Sequence, residues 1–166
     1  ASVLGLYGQN GSGKTALIDA LQLLKYVLCG KAVPAEMADF IHVEAEYAAL
    51  SYTFDVKTSI GKYEVFYEFH LRKEENTQEQ NLDVDPVREK RTMAVISDEI
   101  LSYSFDDGQE RLRKSPLIDT RTDQAFVPVA KYECLIGKEK DKMVNLLVSR
   151  QMAANTSRSF IFSREL

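Results

Sequence analysis

Gly8-Gln9-Asn10-Gly11-Ser12-Gly13-Lys14-Thr15 is a complete G-x-x-x-x-G-K-[ST] phosphate loop, and its reading decides the fold. Ahead of it, Val3-Leu4-Gly5-Leu6-Tyr7 is a short apolar run suited to a buried strand. Behind it, Lys14 to Cys29 carries apolar residues at helical spacing. Strand, loop and helix in that order form the context that the motif needs. Glycines at 8, 11 and 13 let the backbone turn tightly and present its N–H groups to an anion, because a Cβ would restrict φ or block close approach. The loop then feeds a helix N-terminus, which also favours negative charge.

Each remaining position has a chemical role. Lys14 brings a full positive charge to the β and γ phosphates, and the Thr15 hydroxyl suits Mg²⁺, a hard cation that takes oxygen ligands. The predicted cofactor-binding set is therefore Gly8, Gln9, Asn10, Gly11, Ser12, Gly13, Lys14, Thr15 and Ala16, with Thr15 as metal ligand and ATP with Mg²⁺ as the cofactors. Gly11-Ser12-Gly13-Lys14-Thr15-Ala16 also fits the dinucleotide pattern G-x-G-x-x-A. That reading fails because a dinucleotide has no need of the Lys-Thr pair and the strand ends too early. No Asp-x-x-Gly switch or Asn-Lys-x-Asp guanine motif is present, which argues against a GTPase.

Gly8 to Thr15 followed by Leu17-Ile18-Asp19-Ala20-Leu21 resembles the start of ABC-type ATPase heads of the SMC, RecF, RecN and OLD group. More loosely, the whole chain looks like bacterial OLD-like and abortive-infection AAA ATPases. The resemblance implies antiparallel strands of a first lobe after the helix, near Tyr52–Val56, Tyr63–Phe69 and Asp98–Leu101. It also implies ATP hydrolysis in a full-length protein, pairing of two heads around ATP as a homodimer, and work in DNA repair, chromosome handling or phage defence. The alternative is a small P-loop kinase or other phosphotransferase.

The remaining chain supports an α/β fold with a mixed and antiparallel sheet and few helices. A length of 166 residues suits one domain with a real core, and 45% hydrophobic with 28% charged residues is a soluble globular balance. A formal net charge of −4 gives no global attraction to nucleic acid, so DNA contact would need a local patch such as Arg88–Arg91 or Arg111–Lys114. Cys29 and Cys134 lack metal or disulfide spacing, and Cys29 reads as core. With no signal peptide and no long uncharged apolar run, the expected location is cytoplasmic, without membrane contact.

In the first helix, Leu17, Ala20, Leu21, Leu24 and Leu28 form one stripe, and further apolar positions suggest burial on several sides; Gly30 is the expected stop. Strict alternation from Leu50 to Val56 and from Tyr63 to Leu71 predicts two antiparallel strands turning near Ser59-Ile60-Gly61. Residues 73–90 read as a mobile connection or lobe insertion, and Ala94–Phe105 as a strand turning at Asp106-Asp107-Gly108. Lys138–Ala154 reads as a second helix and Ser159–Phe162 as a final strand. The organisation is thus residues 1–30 for strand, phosphate loop and helix, 43–130 for the antiparallel lobe, and 131–166 for a helical segment and strand. Because Ala1 opens so near the loop, the chain reads as an N-terminal part of a longer ATPase.

Two hydrolytic elements are missing or uncertain. There is no Ser-Gly-Gly signature. Met93-Ala94-Val95-Ile96-Ser97-Asp98-Glu99 looks like the Asp-Glu strand of this class, yet Ser97 interrupts the apolar run where the acid should follow, so a lobe strand with surface or hinge carboxylates is preferred. The catalytic residues stay unassigned, and either Gln151 or Gln124 could be the metal-contacting glutamine that the resemblance implies.

Overall fold

The computed structural model describes residues 7, 13–79, 88–106, 108, 113–121 and 156–162. The predicted first helix is present as α1, Lys14–Leu28. Gly30 ends it as expected: at φ 62 it takes the left-handed conformation. Its N–H bonds the Val27 carbonyl while the Lys31 N–H bonds that of Tyr26, which satisfies the last helical acceptors. A 3-10 turn, Ala35–Phe40, follows directly after Pro34.

Four strands then form one sheet in the order β1-β2-β3-β4, comprising β1 (Tyr47–Thr58), β2 (Gly61–Glu79), β3 (Arg88–Asp106) and β4 (Ser115–Asp119). Every pairing among the described residues is antiparallel. Of the buried strand expected at Val3–Tyr7, Val3–Leu6 lie outside the described residues, and Tyr7 is exposed and outside any strand. The segments predicted around Gln124, Cys134, Lys138–Ala154 and Gln151 also lie outside them.

The alternation in β1 and β2 places one face of the sheet against α1. Tyr67, Phe69 and Leu71 are buried, joined by Leu23, Leu24 and Val27 from α1 and by Val33, Met37 and Ala38 from the segment after it. Each of the large side chains contributes roughly 1.5–3 kcal/mol through burial. The Tyr52 hydroxyl donates to the Ala20 carbonyl at 2.7 Å, tying β1 to the middle of the helix.

Several expectations are corrected. The buried stripe of α1 is Leu23, Leu24 and Val27, whereas Leu17, Ile18, Leu21 and Leu28 are exposed, so the helix is not buried on several sides. With apolar residues nearly all round, its pattern could not choose the packed face; docking against the sheet did. Cys29 is exposed because the C-cap turns it away from that face. Residues 73–90 do not form an irregular connection at their ends, since β2 runs to Glu79 and β3 begins at Arg88 in continuous register. Backbone pairing extends this two-stranded arm past the Arg72–Val95 pair by roughly 20 Å at the usual rise per residue. Ser159–Phe162 is a set of bends and turns, because its N–H groups serve side-chain acceptors in place of a ladder.

One extra residue in β3 governs its inward pattern. Glu68 pairs with Ile100 and His70 with Ser97, leaving Phe69 opposite both Asp98 and Glu99. Asp98 adopts φ 54 in this bulge, a left-handed conformation that Asp tolerates better than most residues. The bulge changes which residues face the helix, from Ala94 and Ile96 before it to Glu99 and Leu101 after it. Phe105, further along, meets the Tyr63 ring at 4.5 Å.

The β1–β2 turn closes through Thr58 and Gly61, with the Thr58 hydroxyl donating to the Gly61 carbonyl at 2.9 Å. Gly61 sits at φ 153, and a Cβ there would lie 2.6 Å from both the Asp106 carbonyl oxygen and the Phe105 ring. Gly61→Ala should therefore destabilise the protein by about 1–3 kcal/mol through overpacking. Urea unfolding checks this, and unchanged stability would show that the hairpin end is not close-packed.

Candidate functional site

Of the predicted phosphate-binding set, Gly8–Ser12 lie outside the described residues, while Gly13, Lys14, Thr15 and Ala16 form the start of α1. Gly13 is the N-cap at φ 81 and ψ 7, and its carbonyl accepts the Leu17 N–H at 3.1 Å as the first helical bond. A Cβ at Gly13 would touch nothing, so its glycine requirement is conformational and not steric. No side chain caps this end, and the first turn carries no acidic residue. A helix start without a fixed negative charge in its first turn favours an anion. Lys14 is partly buried, whereas Thr15 and Ala16 are exposed.

A cavity of about 280 Å³ opens beside these first turns. Ala16, Asp19, Ala20 and Leu23 supply its helical wall, Phe40 one end, and Ala48, Leu50 and Leu71 the sheet side. Most of these side chains are apolar, and Asp19 is the one charged residue among them. The sequence reading missed this cavity, since Phe40, Ala48 and Leu71 meet α1 only through the fold.

The two carboxylates considered for hydrolysis are both committed within the lobe, and the bulge sends them to different surroundings. Asp98 Oδ2 accepts from the Ser97 hydroxyl at 3.0 Å and from Arg72 at 2.9 Å, and His70 Nδ1 lies 3.0 Å away. The Tyr47 ring stacks on His70 with centroids 4.0 Å apart, and the Arg72 guanidinium lies 5.8 Å from the Tyr47 centroid. Partial burial pushes the Asp98 carboxyl up, but Ser97, Arg72 and His70 outweigh it and hold the group below its ordinary value.

Glu99 is only 2% exposed. It accepts from the Tyr67 hydroxyl at 2.5 Å, from the Ser159 hydroxyl, and from the Phe160 N–H at 2.6 Å. Burial still pushes its carboxyl above the ordinary value, against the pull of those donors and of the Ile161 N–H. The same environment drives the Tyr67 hydroxyl upward, by burial first and by the Glu99 charge second. Glu99 is thus an interior group of the lobe strand, not a surface carboxylate, one of the two placements (surface or hinge) expected from sequence. Its partners Tyr67 and Ser159 were missed because they lie far away in the chain; Tyr67 showed only as one member of the apolar alternation.

Among the described residues, no group of three or more His, Cys, Asp or Glu side chains could hold a metal ion, and no helix is long and apolar enough to cross a membrane. Of the basic clusters, Lys114 is engaged with Glu68 at 2.6 Å and lies 4.5 Å from the Phe66 ring centroid.

Asp98 supplies a pH test. Its lowered folded value means that its stabilisation is fully present above the ordinary 3.8 and is lost as the pH falls through the folded value. Asp98→Asn keeps a residue that tolerates positive φ but removes the charge. It should cost about 0.5–1 kcal/mol at neutral pH, because Arg72 is half-exposed, and the difference from wild type should shrink progressively as the pH falls below the ordinary 3.8. Chemical denaturation at several pH values measures this; a difference that persists in acid would show that charge is not the cause.

A family model described as an AAA domain matches residues 2–161. No curated protein and no solved structure matches the chain. The family match covers the phosphate loop, α1 and all four strands, and so accounts for the loop, the helix start and the antiparallel lobe together. The chain belongs to the AAA domain family and is a P-loop nucleotide-binding ATPase domain.

Proposed function

We propose that this domain binds ATP with Mg²⁺ through Gly8–Ala16 and acts as the first lobe of an SMC/RecF/OLD-like ATPase head. The observation that carries the reading is the left-handed Gly13 at an uncapped helix start, followed at once by Lys14 and Thr15. In this reading the loop and first-turn amides cradle the polyphosphate, the Lys14 ammonium offsets its charge, and the Thr15 hydroxyl holds the metal. When bound there, Mg²⁺ would supply charge neutralisation for phosphoryl transfer to water. The acids that orient water are not assigned to this chain, because Asp98 and Glu99 are both held by partners in the lobe.

The cavity between α1, Phe40 and β1 is our candidate for the nucleobase. Ala16 and Asp19 carry it on from the phosphate-binding turn, its apolar walls suit a flat ring, and the Asp19 carboxylate can accept from an exocyclic amine. Pairing of two heads across ATP is the proposed assembly, in DNA repair, chromosome handling or phage defence. Any contact with a nucleic-acid backbone would fall to Arg88–Arg91 on the β2–β3 arm.

Calorimetry separates these parts. Lys14→Ala should weaken ATP binding roughly ten- to a hundredfold, the scale of one lost charged hydrogen bond. Ala48→Leu, which narrows the cavity, should weaken ATP several-fold while leaving inorganic tripolyphosphate unaffected. Equal ATP affinity in wild type and Lys14→Ala would remove the phosphate site. Equal ATP affinity in wild type and Ala48→Leu would remove only the base site.

A further inference from the structure

The Glu99 cluster has no part in the nucleotide site, yet it is the most heavily hydrogen-bonded buried acid among the described residues. Two of its donors come from one short segment: the Ser159 hydroxyl and the Phe160 N–H. That segment makes two further backbone ties. The Ile96 N–H on β3 donates to the Thr156 carbonyl at 3.1 Å, and the Val33 N–H donates to the Ser157 carbonyl at 2.7 Å. Val33 follows closely on the Gly30 cap, so it marks the exit of α1.

Thr156–Phe162 consequently bridges two bodies that, among the described residues, otherwise meet through side-chain packing and the Tyr52–Ala20 hydrogen bond. Its Thr156–Ser157 end holds both β3, at Ile96, and the outlet of the helix whose inlet is Gly13, at Val33; its Ser159–Phe160 end holds β3 again through Glu99. The Phe162 ring meets the Tyr67 ring edge-on at 5.1 Å, and the Phe162 N–H donates to the Ser159 oxygen at 3.1 Å, which closes the segment on itself. Glu99 reaches it only because the Asp98 bulge turns it inward.

We propose that Thr156–Phe162 is a strap coupling α1 to the antiparallel sheet, and that Glu99 is the positioning residue that latches it. A shift of α1 on filling the phosphate loop would move Val33 and hence the strap, with Glu99 holding the sheet end fixed. The nucleotide response rests on the phosphate-loop reading; the latch itself does not.

Hydrogen–deuterium exchange on the full chain tests both parts. In Glu99→Ala, peptides spanning residues 156–162 should exchange at least tenfold faster, while the β1–β2 hairpin changes less than twofold. With ATP and Mg²⁺ added, the wild-type strap should slow together with the start of α1, and the Glu99→Ala strap should no longer respond. Glu99→Gln should fall between, since its amide oxygen can still accept from Tyr67 and Ser159 while its NH₂ opposes the Phe160 N–H. Where Glu99→Ala does not fold, Glu99→Gln and Tyr67→Phe carry the same comparison. Unchanged strap exchange in these variants without nucleotide overturns the latch. A wild-type strap that ignores ATP while residues 13–16 are protected overturns the coupling, as does a variant strap that responds like wild type. Absence of any ATP effect at residues 13–16 overturns the phosphate-loop reading instead, and the latch is then judged on exchange without nucleotide.

Discussion

The lobe depends on one extra residue in β3. A regular strand through Ala94–Phe105 could not face Ala94 and Ile96 toward α1 while also facing Leu101 and Phe105 the same way, because side chains alternate with a period of two. The bulge opposite Phe69 resolves this, with Asp98 in the left-handed region. Its consequences spread outward. Asp98 meets His70 and Arg72, Glu99 turns to Tyr67, and the return segment Thr156–Phe162 is held to the sheet. A local irregularity of the backbone therefore sets both the inward pattern of the core and the placement of the two acids.

Much of the architecture was legible because its periods are clean. The alternation of Tyr63, Val65, Tyr67, Phe69 and Leu71 marked β2 and its buried face, and Ser59-Ile60 was correctly placed at the turn. Gly30 marked the helix end because only a residue content at positive φ suits that cap. The misreadings have equally definite causes. An apolar run round all of α1 carries no directional information, so the packed stripe could be found only by docking. Charged and amide residues after Arg72 hid a β-arm, because backbone pairing itself needs no apolar residues. The bulge left no clean trace, since Met93 to Ile96 are apolar at every position and Ile100 and Leu101 are both apolar.

For the site, sequence and structure contribute different parts. Residue types and spacing in Gly8–Thr15 pointed to a polyphosphate ligand, and the structure adds the conformation of Gly13, the uncapped helix start and a cavity along α1. Sequence could not show the cavity, whose walls come from α1, Phe40, β1 and β2. Nor could it distinguish Asp98 and Glu99 as catalytic or structural acids, because that depends on partners as distant as Ser159. Their hydrogen bonds favour structure over catalysis. In the proposed reading one end of α1 takes the nucleotide, while the segment at its other end is tied through Val33 to the strap on the antiparallel sheet.

The most direct test of the central claim is an amide chemical-shift titration of the isotope-labelled protein with ATP and Mg²⁺. Saturable shifts are expected, largest for Gly13, Lys14, Thr15 and Ala16, with smaller ones for Ala48 and Leu50 along the cavity. Saturation with no movement of the Gly13–Ala16 amides, or no movement anywhere at millimolar nucleotide, would contradict it.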